Sequence, residues 1–227
     1  IETVGWGSNG NLVLREIEAF LNRCGITVNT WFPSASYEAI RRAPAAQLNL
    51  ARRVRWARLM KERFGTDYLH LGSEGRYSGL EGICTFYRDI GAAMGLEASM
   101  EPLIEAARQK ALEETAQARK ELAGHRCLLV SRSIQQAPFL LKRYAQDYGF
   151  SIPCLCIILT PEARRNLSMT AEMEGKLLER VQEAVSLYSP ETEIVLNPSE
   201  AEWKARFSKF DAILGTGDFT LENQGVP

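Results

Sequence analysis

Short apolar runs of roughly four to eight residues alternate along this chain with longer stretches in which apolar residues recur at helical spacing. That is the pattern of strands and helices taking turns in a parallel α/β architecture. Residues 2–6 read as a first strand, after which Leu12, Leu14, Ile17, Phe20 and Leu21 share a helical face up to a stop at Gly25. Residues 26–32 read as a second strand, 33–42 as a short helix, 47–53 as a third strand, 56–64 as a helix closed by Gly65, and 68–71 as a fourth strand. A turn-rich stretch from Gly72 to Gly79 precedes a helix over 80–94, with Gly95 at its end.

From Glu101 to Leu122 nearly every residue is a strong helix former, chiefly Ala, Glu, Gln, Arg, Lys and Leu or Ile, so one long helix is expected there. Gly124 closes it, and a fresh strand over 127–130 begins a second run: helix 137–148, strand 152–159, helix 170–188, strand 193–196, helix 199–210 and strand 212–215. The expected organisation is an α/β unit over 1–98, a connecting helix over 99–123 and a second α/β unit over 124–227.

Composition narrows the class. With 227 residues, 45% of them apolar and 24% charged, the chain suits one large or two small soluble domains, and no apolar run approaches the ~20 residues of a membrane helix. Its 27 basic and 28 acidic side chains leave a net charge of −1, without the basic footprint of a nucleic-acid binder. Five cysteines, an odd number, in a chain large enough to fold without staples point to reduced thiols in the cytoplasm, and no secretory signal is read. The start at Ile1 and the end at Gly225-Val226-Pro227 lead us to expect a fragment of a longer chain.

Candidate chemistry is sparse. Gly5-Trp6-Gly7-Ser8-Asn9-Gly10 spells the G-x-G-x-x-G turn of dinucleotide sites between a strand and a helix, yet no acid lies between Ala19 and Tyr37 to take the ribose hydroxyls. A nucleotide-binding enzyme is therefore a minor reading. Arg41, Arg42, Arg52, Arg53, Arg55, Arg58, Lys61 and Arg63 stand against the single acid Glu62, a local excess that suits an anion or, more simply, a solvated face. Cys154 and Cys156 project from one strand face; lacking further ligands nearby in sequence, they read as buried, inert thiols, as do Cys84 and Cys24. No Walker motif or nucleophile elbow is present.

The order of segments carries more than any motif. Gly25-Ile26-Thr27-Val28-Asn29-Thr30-Trp31-Phe32-Pro33, Glu38-Ala39-Ile40, Ala45-Ala46-Gln47-Leu48-Asn49-Leu50, Met60-Lys61-Glu62-Arg63-Phe64-Gly65 and Gly79-Leu80-Glu81-Gly82 followed by Phe86-Tyr87-Arg88-Asp89-Ile90 occur in the order and spacing of nitrogenase component 1 subunits. The long charged helix running into Leu122-Ala123-Gly124-His125-Arg126-Cys127, and the closing Phe210-Asp211-Ala212-Ile213-Leu214-Gly215-Thr216, extend the likeness over nearly the whole chain. The sequence resembles the nitrogenase component 1-like oxidoreductases, which include nitrogenases, cofactor-maturation scaffolds and tetrapyrrole-ring reductases.

The resemblance implies two Rossmann-like α/β units with parallel sheets flanked by helices, joined by the long helix. It also implies ATP-dependent reductive chemistry of the kind used in nitrogen fixation, a metal-binding parent that carries an iron–sulfur or related metallocluster, a sister component 1-type subunit, and an ATP-driven iron–sulfur reductase protein. No nucleic acid or membrane partner is implied. Where family catalytic subunits place a cluster-ligating cysteine after Leu-Asn-Leu, this sequence has Arg52 and Arg53, which favours a paralogue or accessory subunit. The remaining cluster ligands would fall outside 1–227, so no cofactor is expected in the fragment itself, and a noncatalytic scaffold is the alternative. Ligands of parallel sheets bind beyond the carboxyl ends of strands, which singles out Gly7-Ser8-Asn9, Thr216, and Ser131, Arg132, Ser133 and Gln135, the loop that approaches the cofactor in the family. Arg53, Arg132 and Gln135 are expected to line a cleft for an anionic cluster or a carboxylated substrate.

Overall fold

The computed structural model describes residues 10–32, 35–51, 54–71, 76–166, 168–207 and 209–215; the strand expected over 2–6 lies outside them. The chain divides into two compact units, 1–111 and 112–227.

In the first unit the apolar spacing from Leu12 onward forms α1 (Gly10–Arg23), which buries Ile17, Phe20 and Leu21 and is followed by Gly25 at φ 75°. Next come α2 (Tyr37–Arg42), capped by the Ser36 hydroxyl accepting from the Ala39 amide, then β1 (Leu48–Ala51), α3 (Val54–Phe64) and β2 (Asp67–His70). The two strands pair in parallel, Leu48 opposite Asp67 through Ala51 opposite His70. After α4 (Gly79–Met94) comes α5 (Glu97–Leu122), four residues earlier than the sequence pattern suggested, because Gly95 in the left-handed region ends α4 sharply and the Leu96 carbonyl receives the Ser99 and Met100 amides. Only Met100 and Ile104 of α5 are buried, both in a core built with Ile26, Leu50, Cys84, Phe86 and Ile90.

The second strand expected in this unit does not form. Phe32 alone makes a bridge, and residues 26–31 belong to no ladder. The end of α2 leaves carbonyls without intrahelical donors, and this segment supplies them: Asn29 Nδ2 donates to the Arg42 carbonyl at 2.9 Å and Thr30 Oγ1 to that of Ala39 at 2.9 Å. A cavity of about 390 Å³ is lined by residues of both 25–30 and 45–50.

The second unit follows its sequence pattern closely. Its elements are β3 (Arg126–Ser131), α6 (Ala137–Leu141) continuing as a π-helical turn over Lys142–Asp147, β4 (Ser151–Ile157), α7 (Pro161–Asn166), α8 (Ala171–Tyr188), β5 (Glu193–Leu196), α9 (Glu200–Phe207) and β6 (Ala212–Gly215). The helix expected over 137–148 is thus split between α and π geometry, α7 was not foreseen, and α9 stops short of 210. All four strands are parallel in the order β5-β4-β3-β6. Alternate residues of the central strands serve opposite faces. Cys127, Leu129, Leu155 and Ile157 meet Ile134, Leu141, Val181 and Val185 in the larger core, while Leu128, Val130, Cys154 and Cys156 form a smaller cluster with Val195, Phe210 and Ile213. Each fully buried Leu or Ile side chain contributes about 1.5–3 kcal/mol, so β3 and β4 anchor the unit.

Candidate functional site

In the second unit the chain runs from β3 outward through β4 to β5, then returns through α9 to β6 on the other side of β3. The direction of winding reverses between β3 and β6, and in an open parallel sheet such a reversal opens a crevice at the carboxyl ends of the two strands. Two features shape this end. Gly215 closes β6 so near β3 that a Cβ there would stand 2.5 Å from the Val130 carbonyl oxygen, so the close approach requires glycine. Ser131, fully buried at the tip of β3, donates from Oγ to the Ser133 carbonyl at 2.8 Å and accepts from the Ser133 amide at 3.2 Å. Its own carbonyl takes the Ile158 amide at 2.8 Å.

The loop is therefore built by its serines. Ser133 Oγ accepts from the Gln136 amide at 3.3 Å and starts the turn into α6. Arg132 and Gln135, like Gln136, are exposed in the same loop. Of the residues singled out in the sequence, Ser131, Arg132, Ser133 and Gln135 thus sit together at the switch point, two as scaffold and two as exposed polar groups, while Arg53, Gly7, Ser8, Asn9 and Thr216 lie outside the described residues.

Of the basic segment, Arg41, Arg42, Arg55, Arg58, Lys61 and Arg63 are exposed, Arg41 pairs with Glu38 at 3.4 Å, and Lys61 pairs with Asp67, while Arg52 and Arg53 lie outside the described residues. The thiols divide into two kinds. Burial pushes Cys24, Cys84 and Cys127 up, the direction of inert thiols. Cys154 differs. Its Sγ lies 3.8 Å from that of Cys156 and 3.7 Å from Arg206 Nη1. The hydrogen bond from Cys156, against burial and aided by the Arg206 charge, holds the Cys154 thiol below its ordinary value; the same bond and burial push Cys156 far up. Sequence reasoning placed the two sulfurs on one face but gave no sign of Arg206, which lies on α9 and is brought there by its pairing with Glu193, the register neighbour of Cys154.

The sequence model of the nitrogenase component 1 type oxidoreductases matches residues 8–218. The chain belongs to this family. A search of curated proteins finds no match. Among solved structures the chain is similar to nitrogenase Cp1 at pH 6.5, with a TM-score of 0.56 and 13% identity over 88% of this chain and 45% of that one, a likeness that shows the fold. This component 1-type chain spans less than half the length of that nitrogenase chain. Iron–sulfur clusters are held by sets of thiolates, and among the described residues no group of three or more His, Cys, Asp or Glu is placed to hold a metal ion. The described side chains by themselves do not fit such a cluster. Among them, too, no helix is long and apolar enough to cross a membrane.

Proposed function

We propose that this chain forms part of a component 1-type oxidoreductase subunit in which the β3 loop meets an anionic cluster or a carboxylated substrate. The observation that supports this reading most is the coincidence of Arg132 and Gln135 with the switch point of a parallel sheet in a family member. Charge-assisted hydrogen bonds from a guanidinium, with an amide beside it, suit carboxylate oxygens. Ser131 and Ser133 hold the loop and leave recognition to their neighbours. The ligands of the metallocluster would come from residues outside 1–227, reduction would be driven by an ATP-dependent iron–sulfur reductase protein, and a sister component 1-type subunit would complete the assembly in the cytoplasm. Arg52 and Arg53, at the place where catalytic subunits carry a cluster cysteine, favour a noncatalytic cofactor-maturation scaffold as the second reading.

Binding of protoporphyrin IX, a dicarboxylated tetrapyrrole, to the parent and to the Arg132→Ala protein tests the site. A charge-assisted hydrogen bond contributes about 1.5–3 kcal/mol, so the variant should bind at least about tenfold more weakly. Equal affinity removes the anion from this loop.

A further inference from the structure

The sheet of the first unit has an open edge. Among the described residues β1 forms a ladder only with β2. In a parallel ladder the main-chain groups of successive residues point to opposite sides of the strand. The Ala51 carbonyl accepts the Leu71 amide on the β2 side at 2.8 Å, so the N–H and C=O groups of Leu48 and Leu50 point the other way. That is the side of the 390 Å³ cavity, which residues 25–30 line and no residue of β2 does. Buried main-chain groups need hydrogen-bond partners. A side chain here needs one as well: Asn49, 6% exposed, lines the cavity, and its Nδ2 has no partner among the described residues.

The walls restrict what can fill this slot. Its lining holds no charged side chain. On one face Ile26, Val28, Leu48 and Leu50 already pack with Leu21 of α1. Strands pair at about 4.8 Å, so a strand set between residues 26–31 and β1 would bond to both and be covered by α1. The path of the chain supplies the direction. From Gly10 the 14 residues of α1 carry the chain about 21 Å back toward Ile26, roughly the length of a six-residue strand at 3.3 Å per residue. A strand that ends where α1 starts therefore runs parallel to residues 26–31. Residues 2–6, Glu2-Thr3-Val4-Gly5-Trp6, lie outside the described residues; they have one strand's length, are charged only at Glu2, and leave three residues for the turn into α1.

We infer that residues 2–6 fill this slot as the central strand of the first unit, parallel to β1 and to residues 26–31. Val4 joins the core beside Leu50, and the Thr3 hydroxyl, on the opposite face, accepts from Asn49 Nδ2. The winding of the first unit then reverses between residues 2–6 and β1, as that of the second does between β3 and β6, and Gly7-Ser8-Asn9 leaves at the carboxyl end of the sheet. The inference does not depend on the reading given to the β3 loop.

Nuclear magnetic resonance of the deuterated, isotopically labelled full chain tests the strand without any substitution. Cross-strand contacts of Val4 with both β1 and residues 26–31 are expected, and in a mixture of labelled and unlabelled chains they should remain within one molecule. Direct ladder contacts between residues 26–31 and β1, no contact of residues 2–6 with either, or contacts that arise only between chains would each overturn the proposal. So would a small molecule retained at one per chain in native mass spectrometry. Val4→Pro removes a donor from the middle of the strand and should speed exchange of the Leu48 and Leu50 amides about tenfold, with Leu128 and Leu155 of the second unit unchanged. Equal exchange at Leu48 and Leu50 in variant and parent refutes the pairing.

Discussion

Two glycines inside helices should respond to the same substitution with opposite signs. Gly82 is buried in α4, where a Cβ would stand 2.5 Å from the Tyr77 carbonyl carbon, 3.0 Å from Tyr77 Cα and 3.1 Å from the Arg76 carbonyl oxygen. The chain crossing there cannot simply step aside. Arg76 holds Asp89 through Nε and Nη2 at 2.8 and 2.9 Å, and Tyr77 donates its hydroxyl to the same carboxylate at 2.8 Å. Restoring ordinary contact means moving anchored backbone by roughly 1 Å, an overpacking cost of about 1–3 kcal/mol, against a helix-propensity gain of about 1 kcal/mol for Gly→Ala. Gly82→Ala should therefore destabilise the first unit by about 1 kcal/mol net. Gly175, exposed on α8 with nothing within 4 Å of its missing Cβ, keeps only the propensity gain, so Gly175→Ala should stabilise the second unit by about 1 kcal/mol. The two units can melt separately, so amide exchange of α4 and α8, read by mass spectrometry beside urea unfolding, is the appropriate assay. Faster exchange in α4 for the first variant and slower exchange in α8 for the second are expected. A Gly82→Ala protein as stable as the parent would show that the crossing is not tight and refute the argument.

The fold was legible where burial alone decides it. Residues 127–130 are a continuous apolar run because β3 is covered on both faces, and the edge strands over 193–196 and 212–215 keep half-buried apolar centres; each lies within or matches an observed strand. Residues 26–32 are rich in β-branched and aromatic residues yet form no ladder, because of a competitor that no local pattern reveals: helix-end carbonyls at Ala39 and Arg42 that take Thr30 and Asn29 as donors. The site divides in the same way. That Ser131, Arg132, Ser133 and Gln135 follow a strand could be read directly, but that the strand is the one at which the winding reverses depends on its neighbours, β4 and β6, and on the return through α9. Arg206 was invisible for a related reason. It lies 52 residues from Cys154, and only the parallel register that sets Glu193 beside Cys154 brings its guanidinium to the sulfur.

The Asp89 anchor makes the first unit acid-sensitive. The hydrogen bonds from Arg76 and then Tyr77 hold the Asp89 carboxyl below its ordinary value, so its contribution to stability is fully present above the unfolded pKa of about 3.9 and is lost as pH falls through the lower folded value. Asp89→Asn should thus be less stable than the parent at pH 7, with the gap closing below about pH 4; a constant gap down to pH 2 would contradict the anchor. Asn197 offers a sharper test, because its backbone and side chain can be separated. It sits at φ 45°, its Oδ1 accepts the Leu159 amide at 2.7 Å, and its own amide donates to the Ile157 carbonyl at 2.9 Å, so one residue fastens the carboxyl end of β4. Asn197→Gly keeps the left-handed backbone and loses only the side-chain bond, at about 1 kcal/mol. Asn197→Ala loses the bond and adds roughly 1–2 kcal/mol of left-handed strain, whereas Asn197→Asp keeps an acceptor for the Leu159 amide. Urea unfolding of the second unit should rank the proteins parent and Asp highest, then Gly, then Ala. If Ala equals Gly, the left-handed conformation at this position carries no strain; if Gly equals the parent, the Leu159 amide does not depend on Asn197 for its partner.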